Sequence, residues 1–227
     1  MEKVYSGRIK DILKDKEGNV FLYFKDQVAD EQGMSEVDTV AEVVDWEGAG
    51  ESRLKSSIYF FNLLDKIGVP HHFIEADLDE RLMKVKPATV FGHGTEVFAR
   101  HRAMGTFYRR FDKYLRRGEE LKQCAVEVKV KDPYREKAII APGVAEALGI
   151  FTKEEYNAIE EIALKVAQAV KEDLAQYDLE LYDIKLEMGR LEDGTVAVID
   201  EIAGEDMRVF KGPQFVPADQ LVKHLGL

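Results

Sequence analysis

Cysteine occurs only once in the 227-residue chain, as Cys124. That excludes an intramolecular disulfide, a Cys-rich zinc site and a paired redox motif, and it points to a reducing compartment. Positive charge is in deficit as well: 32 Lys and Arg face 43 Asp and Glu, a formal net charge of −11. Such a surplus repels phosphate backbones and anionic lipid, so an anionic ligand must meet a local cluster of cations rather than the average surface. No run approaches the ~18 apolar residues of a membrane span, and Met1-Glu2-Lys3-Val4-Tyr5 carries charge where a signal peptide needs an apolar stretch. Repeats, low-complexity tracts and Ser/Pro linkers are also lacking. The expectation is a soluble cytoplasmic protein that binds neither nucleic acid nor membrane.

What is present is enough for a sizeable core. Hydrophobic residues make up 45% of the chain, and the length fits one large domain or two intimate lobes. Short β-rich runs at Ile9 to Leu13, Val20 to Phe24 and Val40 to Val44 predict an antiparallel meander, broken at Glu17-Gly18-Asn19 and around Asp30 to Gly33. Ser52 to Ile67 reads as an amphipathic helix with Leu54, Ile58, Phe61, Leu63 and Leu64 on one side, stopped by Gly68 and Pro70. Further strands are predicted at Leu82 to Val85, Val97 to Ala99 and Ala125 to Val130, and a basic helix over Thr106 to Arg117, ending at Gly118. Thr152-Lys153-Glu154-Glu155 is a capping box opening a long helix with Tyr156, Ile159, Ala163, Val166, Val170 and Leu174 on its buried face. Leu181 to Met188 and Thr195 to Ile199 flank Glu192-Asp193-Gly194, a hairpin signal with a two-residue turn.

Three constellations carry potential chemistry. In the first hairpin strand Asp183, Lys185 and Glu187 share one face while Ile184, Leu186 and Met188 take the other, and the second strand ends in Asp200-Glu201. This is either a solvated strand face or a magnesium and phosphate site, because Mg²⁺ is commonly held by one or two carboxylates plus phosphates. Tyr5-Ser6-Gly7-Arg8-Ile9-Lys10 puts a glycine and two cations in a turn, which by itself reads as an ordinary turn or a phosphate-covering loop. Glu96 to Thr106 contains Arg100 and Arg102 and then Gly105-Thr106 at a predicted helix start, a pattern suited to cradling an anion. The five histidines show no metal-ligand spacing.

These residues resemble the SAICAR synthetase family. Tyr-Ser-Gly-Arg-Ile-Lys-Asp-Ile at 5–12 is similar to the family's Y-x-G-K-x-K-x-[IVL], Glu96 to Thr106 to its E-[VC]-V-x-R-[NH]-x-x-[AT]-G-S, and 183–189 to its D-[FI]-K-[LYF]-E-[FY]-G strand. Lys25-Asp26-Gln27, Ile67 to Pro70, Val126-Glu127-Val128 with Lys131-Asp132, and Asp200-Glu201 match in the same order, so the resemblance spans roughly residues 4–210. It implies an α+β fold of two lobes: a kinase-N-lobe-like antiparallel sheet with a helix over 1–86, and an ATP-grasp-like α+β domain over 87–227. It also implies an ATP-dependent ligase of purine biosynthesis. ATP phosphorylates the carboxylate of carboxyaminoimidazole ribonucleotide, and the amine of L-aspartate attacks the acyl phosphate to give an amide.

Carried over by position, Arg8 and Lys10 contact ATP phosphates and Met83, Lys84, Val85 and Lys86 form the hinge that reads adenine. Lys185 lies near the transferred group, with Asp183 and Arg208 also in the catalytic set. Glu187 and Asp200 hold Mg²⁺. Glu96, Arg100, Arg102, Gly105, Thr106 and Arg208 bind substrate. The partners implied are an imidazole ribonucleotide and an amino acid, and a homo-oligomer. Departures cluster on the acceptor side. The family's D-E-x-S-P-D-x-x-R reads Asp200 to Arg208 with Ala203-Gly204 for Ser-Pro and Glu205 for the second aspartate. Lys137-Ala138 stands where the family has Asp-Pro, the A-G-D-G loop survives only as Ala29 to Gly33, and 211–227 is a short, different ending. They leave open a paralogous ligase with another carboxylate or amine.

Overall fold

The computed structural model describes residues 1–28, 44–132 and 137–227. Of the strand predicted over Val40 to Val44 residues 40–43 lie outside them, as does the Ala29 to Gly33 loop.

The chain builds two antiparallel sheets. The first, in the order β1-β2-β3-β7-β6, comprises β1 (Glu2–Ser6), β2 (Lys10–Lys14), β3 (Val20–Phe24), β6 (Phe73–Asp77) and β7 (Leu82–Val85). Two short strands, β4 (Gln27–Val28) and β5 (Val44–Asp45), pair beside it. Helix α1 (Ala49–Ile67) packs on β3 and β6, and Gly68 ends it with a left-handed cap at φ 64°. Leu54, Phe60, Phe61 and Leu64 are fully buried, as the apolar spacing requires.

The second sheet contains β8 (Ala88–Val90), β9 (Thr95–Arg102), β10 (Glu120–Val130), β11 (Ala138–Ile139), β12 (Glu180–Leu191), β13 (Val196–Ile199), β14 (Met207–Lys211) and β15 (Gln214–Val216). Its axis is β12, which changes partners half-way. Residues up to Leu186 pair with β9 and β14, and those from Glu187 onward pair with β13 and β8. Helix α2 (Gly105–Phe111) follows β9, α3 (Pro142–Ala147) and α4 (Lys153–Ala175) precede β12, and α5 (Ala218–His224) closes the described chain. Helix α4 covers β9, β12 and β13 with Ile159, Ala163, Val166, Val170 and Leu174, all buried. Its capping box is formed: Glu155 N–H donates to Thr152 Oγ1 at 3.2 Å, and Thr152 N–H to Glu155 Oε2 at 2.8 Å. One core cluster runs from β3 and α1 through α4 to β12 and α5.

Two local expectations need correction. The basic helix stops at Phe111 rather than Arg117. None of its residues is fully buried, and Arg109, Arg110, Lys113, Arg116 and Arg117 repel one another at helical spacings. The chain instead turns at Tyr114 and is drawn back by Gly118 N–H donating to Ala103 O. The hairpin loop has three residues, not two. Leu191 N–H donates to Thr195 O, and Gly194 takes the left-handed position at φ 86°.

Candidate active site

The alternation on β12 survives folding. Ile184, Leu186 and Met188 are fully buried, and Asp183, Lys185 and Glu187 line the opposite face, where neighbouring segments complete each rung. Asp183 stands opposite Arg100 of β9 and Arg208 of β14, and its Oδ2 accepts from both guanidiniums, at 2.8 and 2.7 Å. Lys185 Nζ lies 2.6 Å from Asp206 Oδ1. Glu187 pairs with Ile199 in the ladder, which places Asp200 at the next step, and Glu187 Oε1 is 2.5 Å from Lys131 Nζ. Lys10 arrives from the other sheet, pairing with Asp200 and lying 2.5 Å from Glu201.

Asp200 adopts a left-handed backbone, φ 67°, which aspartate tolerates better than bulkier residues. His72 Nε2 fixes it by donating to the Asp200 carbonyl at 2.8 Å. Burial pushes the His72 imidazole down to about 4, so it is neutral at pH 7 and serves as a plain N–H donor. Burial opposes ionisation of Asp200, but Lys10 outweighs it and holds the carboxyl at about 2. Glu187 moves the other way, raised by burial and by the adjacent Asp200 against Lys131 and Lys185. Glu201 is pushed up to about 7 by burial, which Lys10 opposes and Asp200 reinforces. Burial lowers Lys10 and Lys185, yet their acidic neighbours keep both above the ordinary lysine value.

Among the described residues no set of three or more His, Cys, Asp or Glu side chains gathers to hold a metal ion. Glu187 and Asp200 make a two-carboxylate site, with lysine ammonium groups on the oxygens that a cation would take. Such a donor set fits Mg²⁺, which binds proteins through one or two carboxylates and completes its octahedron with phosphate and water.

The second cluster lies at the other end of the same face. Arg100 is 1% exposed and also donates to Glu127 Oε2 at 3.1 Å, and Glu127 in turn pairs with Arg110. Arg100 and Lys129 cover the Phe98 ring, at 4.5 and 4.9 Å from its centroid. Gly105 begins α2 at φ 57°, and a Cβ there would lie 2.8 Å from Arg208 Nη2. Only glycine lets this helix start close upon that guanidinium. Thr106 follows at a half-buried position.

The fold does not gather every expected residue. Arg102 is engaged elsewhere, bonding Glu180 at 2.6 Å and Gly118 O at 2.9 Å and stacking on Tyr182. Arg8 is exposed and pairs with no acid among the described residues. Met83 and Val85 are buried in β7, whose backbone is paired on both edges by β3 and β6. Lys84 faces Glu75 at 3.5 Å, and Lys86 donates through its backbone N–H to His72 O at 2.7 Å. A surface concavity of about 510 Å³ opens beside Lys25, Asp26, Gln27 and Arg81.

The sequence model of SAICAR synthetase matches residues 3–222. The chain belongs to the SAICAR synthetase family. It is 39% identical over 224 residues to the phosphoribosylaminoimidazole-succinocarboxamide synthase of Clostridium tetani, covering 98% of both chains. It is 30% identical over 211 residues to that of Finegoldia magna, covering 92% and 86%. A solved SAICAR synthetase in complex with ADP superimposes with a TM-score of 0.84 at 28% identity, over 95% of this chain and 88% of the other. The α+β architecture with two antiparallel sheets is that of the family.

Several residues of the ionic face escape a reading of single motifs. Glu127 and Lys129 lie on the same face as Arg100 and Glu96 because β10 pairs Glu127 with Phe98 and Lys129 with Glu96. Their every-second-residue spacing was a usable signal. Lys137, singled out as a departure from the family pattern, lies 2.6 Å from the buried Glu96, whereas Arg53, 1% exposed and 3.0 Å from Glu205, had no signal, since its partner is distant in sequence.

Proposed function

We infer that the chain carries out its family's reaction. It is an ATP-dependent carbon–nitrogen ligase of purine biosynthesis, joining carboxyaminoimidazole ribonucleotide to L-aspartate. The carboxylate oxygen attacks the γ-phosphorus of ATP and ADP leaves. The aspartate amine then attacks the acyl carbon, phosphate departs, and an amide remains. Phosphoryl transfer of this kind depends chiefly on positioning and charge neutralisation, which an ionic face of paired lysines, arginines and carboxylates is suited to supply. The observation that carries this reading is the convergence of Glu187, Asp200, Lys185, Lys10 and Lys131 from four separate segments, in a chain 39% identical to a named synthase. That identity, over almost the whole of both chains, does not favour the paralogous ligase, despite Lys137 and Ala203-Gly204.

In the proposed division of labour Glu187 and Asp200 would hold Mg²⁺, which would supply positive charge to neutralise the phosphates. Lys10 and Arg8 meet the ATP phosphates, and Met83 to Lys86 adjoin the adenine. Lys185 faces the transferred phosphoryl group, with Asp183 orienting Arg208 and Arg100. Gly105, Thr106, Arg100 and Arg208 receive the ribonucleotide phosphate, and Glu96 and Arg102 belong to the same substrate side. The lobe boundary is proposed at 86/87, since β7 ends the first sheet at Val85 and β8 joins the second at Ala88. No described helix is long and apolar enough to cross a membrane. A cytoplasmic location and a homo-oligomeric state complete the proposal. A coupled ADP-release assay with a panel of imidazole ribonucleotides and amino acids tests it. ADP should form only with the carboxylated imidazole ribonucleotide and aspartate together, and turnover indifferent to aspartate would refute it.

A further inference from the structure

We propose that Asp206, an acid outside the motif residues assigned above, is a positioning residue that aims the Lys185 ammonium into the site. Asp206 is 5% exposed, and its two oxygens do different things. Oδ1 takes Lys185 Nζ at 2.6 Å, and Oδ2 accepts the Ala203 N–H at 3.1 Å, closing the 3₁₀ turn Gly204–Asp206. That turn is held from behind. A Cβ on Gly204 would come within 2.6 Å of Ala218 Cα, so α5 packs directly against it. The divergent C-terminal helix therefore sets where the turn sits, and Asp206 transmits that placement to Lys185.

The direction of the pull matters. The other acidic neighbours of Lys185 are Glu187 and Glu96. An ammonium released from Asp206 is drawn along β12 toward Glu187, the carboxylate already paired with Lys131. Held by Asp206, it keeps its remaining N–H groups for an anion above the sheet.

The inference rests on Lys185 facing the transferred phosphoryl group, and the variants separate the two ideas. Asp206→Asn keeps a carbonyl oxygen for the Ala203 N–H but removes the charge. It should still fold, with a melting temperature lowered by no more than about 6–12 °C, the equivalent of about 3 kcal/mol for a broken buried ion pair in a chain of this size. Its kcat should fall roughly ten- to a hundredfold, while the KM for ATP and the calorimetric Kd for ADP change less than about threefold. Added to Lys185→Met, the same substitution should cost nothing further. An unchanged kcat in Asp206→Asn, an additive loss on the Lys185→Met background, or failure of Asp206→Asn to fold would each overturn the proposal, the last by showing that the pair serves folding first. Full activity in Lys185→Met alone would instead remove the role of Lys185.

Discussion

Replacing Gly105 by alanine tests the anion cradle with little else disturbed. At φ 57° a side chain costs about 1–2 kcal/mol in backbone strain alone. The new Cβ would also stand 2.8 Å from Arg208 Nη2 and 3.1 Å from Nη1, so the guanidinium must retreat from the Asp183 oxygen it now meets at 2.7 Å. Losing a charge-assisted hydrogen bond costs about 1.5–3 kcal/mol. The lower end applies, because Asp183 keeps Arg100 at 2.8 Å. A total near 3 kcal/mol corresponds to a fall of about 6–12 °C in melting temperature for a chain of this size. Gly118→Ala is the control. Its φ is 78° but nothing lies within 4 Å of the added methyl, so it carries the backbone cost alone. In steady-state assays Gly105→Ala should raise the ribonucleotide KM about tenfold or more with the ATP KM unchanged, and Gly118→Ala should leave both alone. If the two variants lose the same stability and neither moves the ribonucleotide KM, Arg208 is not part of a phosphate cradle.

Asp200→Asn should reduce turnover by about two orders of magnitude or more with the fold intact, since asparagine also accepts the left-handed backbone; near-normal ADP release would remove Asp200 from the mechanism. Arg100→Ala should lower unfolding free energy by about 3 kcal/mol, the usual cost of breaking a buried ion pair, and raise the KM of the ribonucleotide far more than that of ATP. Equal effects on both KM values would refute its assignment. For His72 the folded value, about 4, lies below the unfolded 6.5. The unfolded chain therefore binds a proton that the folded one refuses, and stability falls as pH drops from 6.5 toward 4, by about 3 kcal/mol. Urea titrations across that range should show a shallower loss in His72→Gln, which retains an N–H donor but does not titrate; identical slopes would rule out the buried neutral imidazole.

Much of the site could be read along the chain because β-strand alternation is a local rule. Asp183, Lys185 and Glu187 had to share a face once 180–191 was a strand, and the hairpin signal at Glu192-Asp193-Gly194 returned the next strand beside it, whereas Asp200, one step past the Ile199 that pairs with Glu187, depends on the left-handed backbone found in the fold. The capping box at Thr152 and the apolar spacing of α1 and α4 were legible for the same reason, since each depends on neighbours within four residues. Short elements such as β6, β8, β14 and α5 carry too few periods to announce themselves. The basic run after Thr106 misled because helical propensity says nothing about whether a helix finds a surface to bury against.

Chemistry and order of the ionic residues were thus settled by covalent sequence and strand geometry: which cations exist, which carboxylates alternate with them, and how many residues separate the motifs. Partner choice was not. That Lys10 crosses from the first sheet to Asp200, that Lys131 rather than Lys185 closes on Glu187, that Arg102 is spent on Glu180, and that Asp206 takes Lys185 all depend on how β12 exchanges one pair of neighbours for another and on what α5 presses upon. Electrostatic pairing falls off with distance through space, not along the chain, so only the packed arrangement selects among acids and bases that the sequence alone leaves equally eligible.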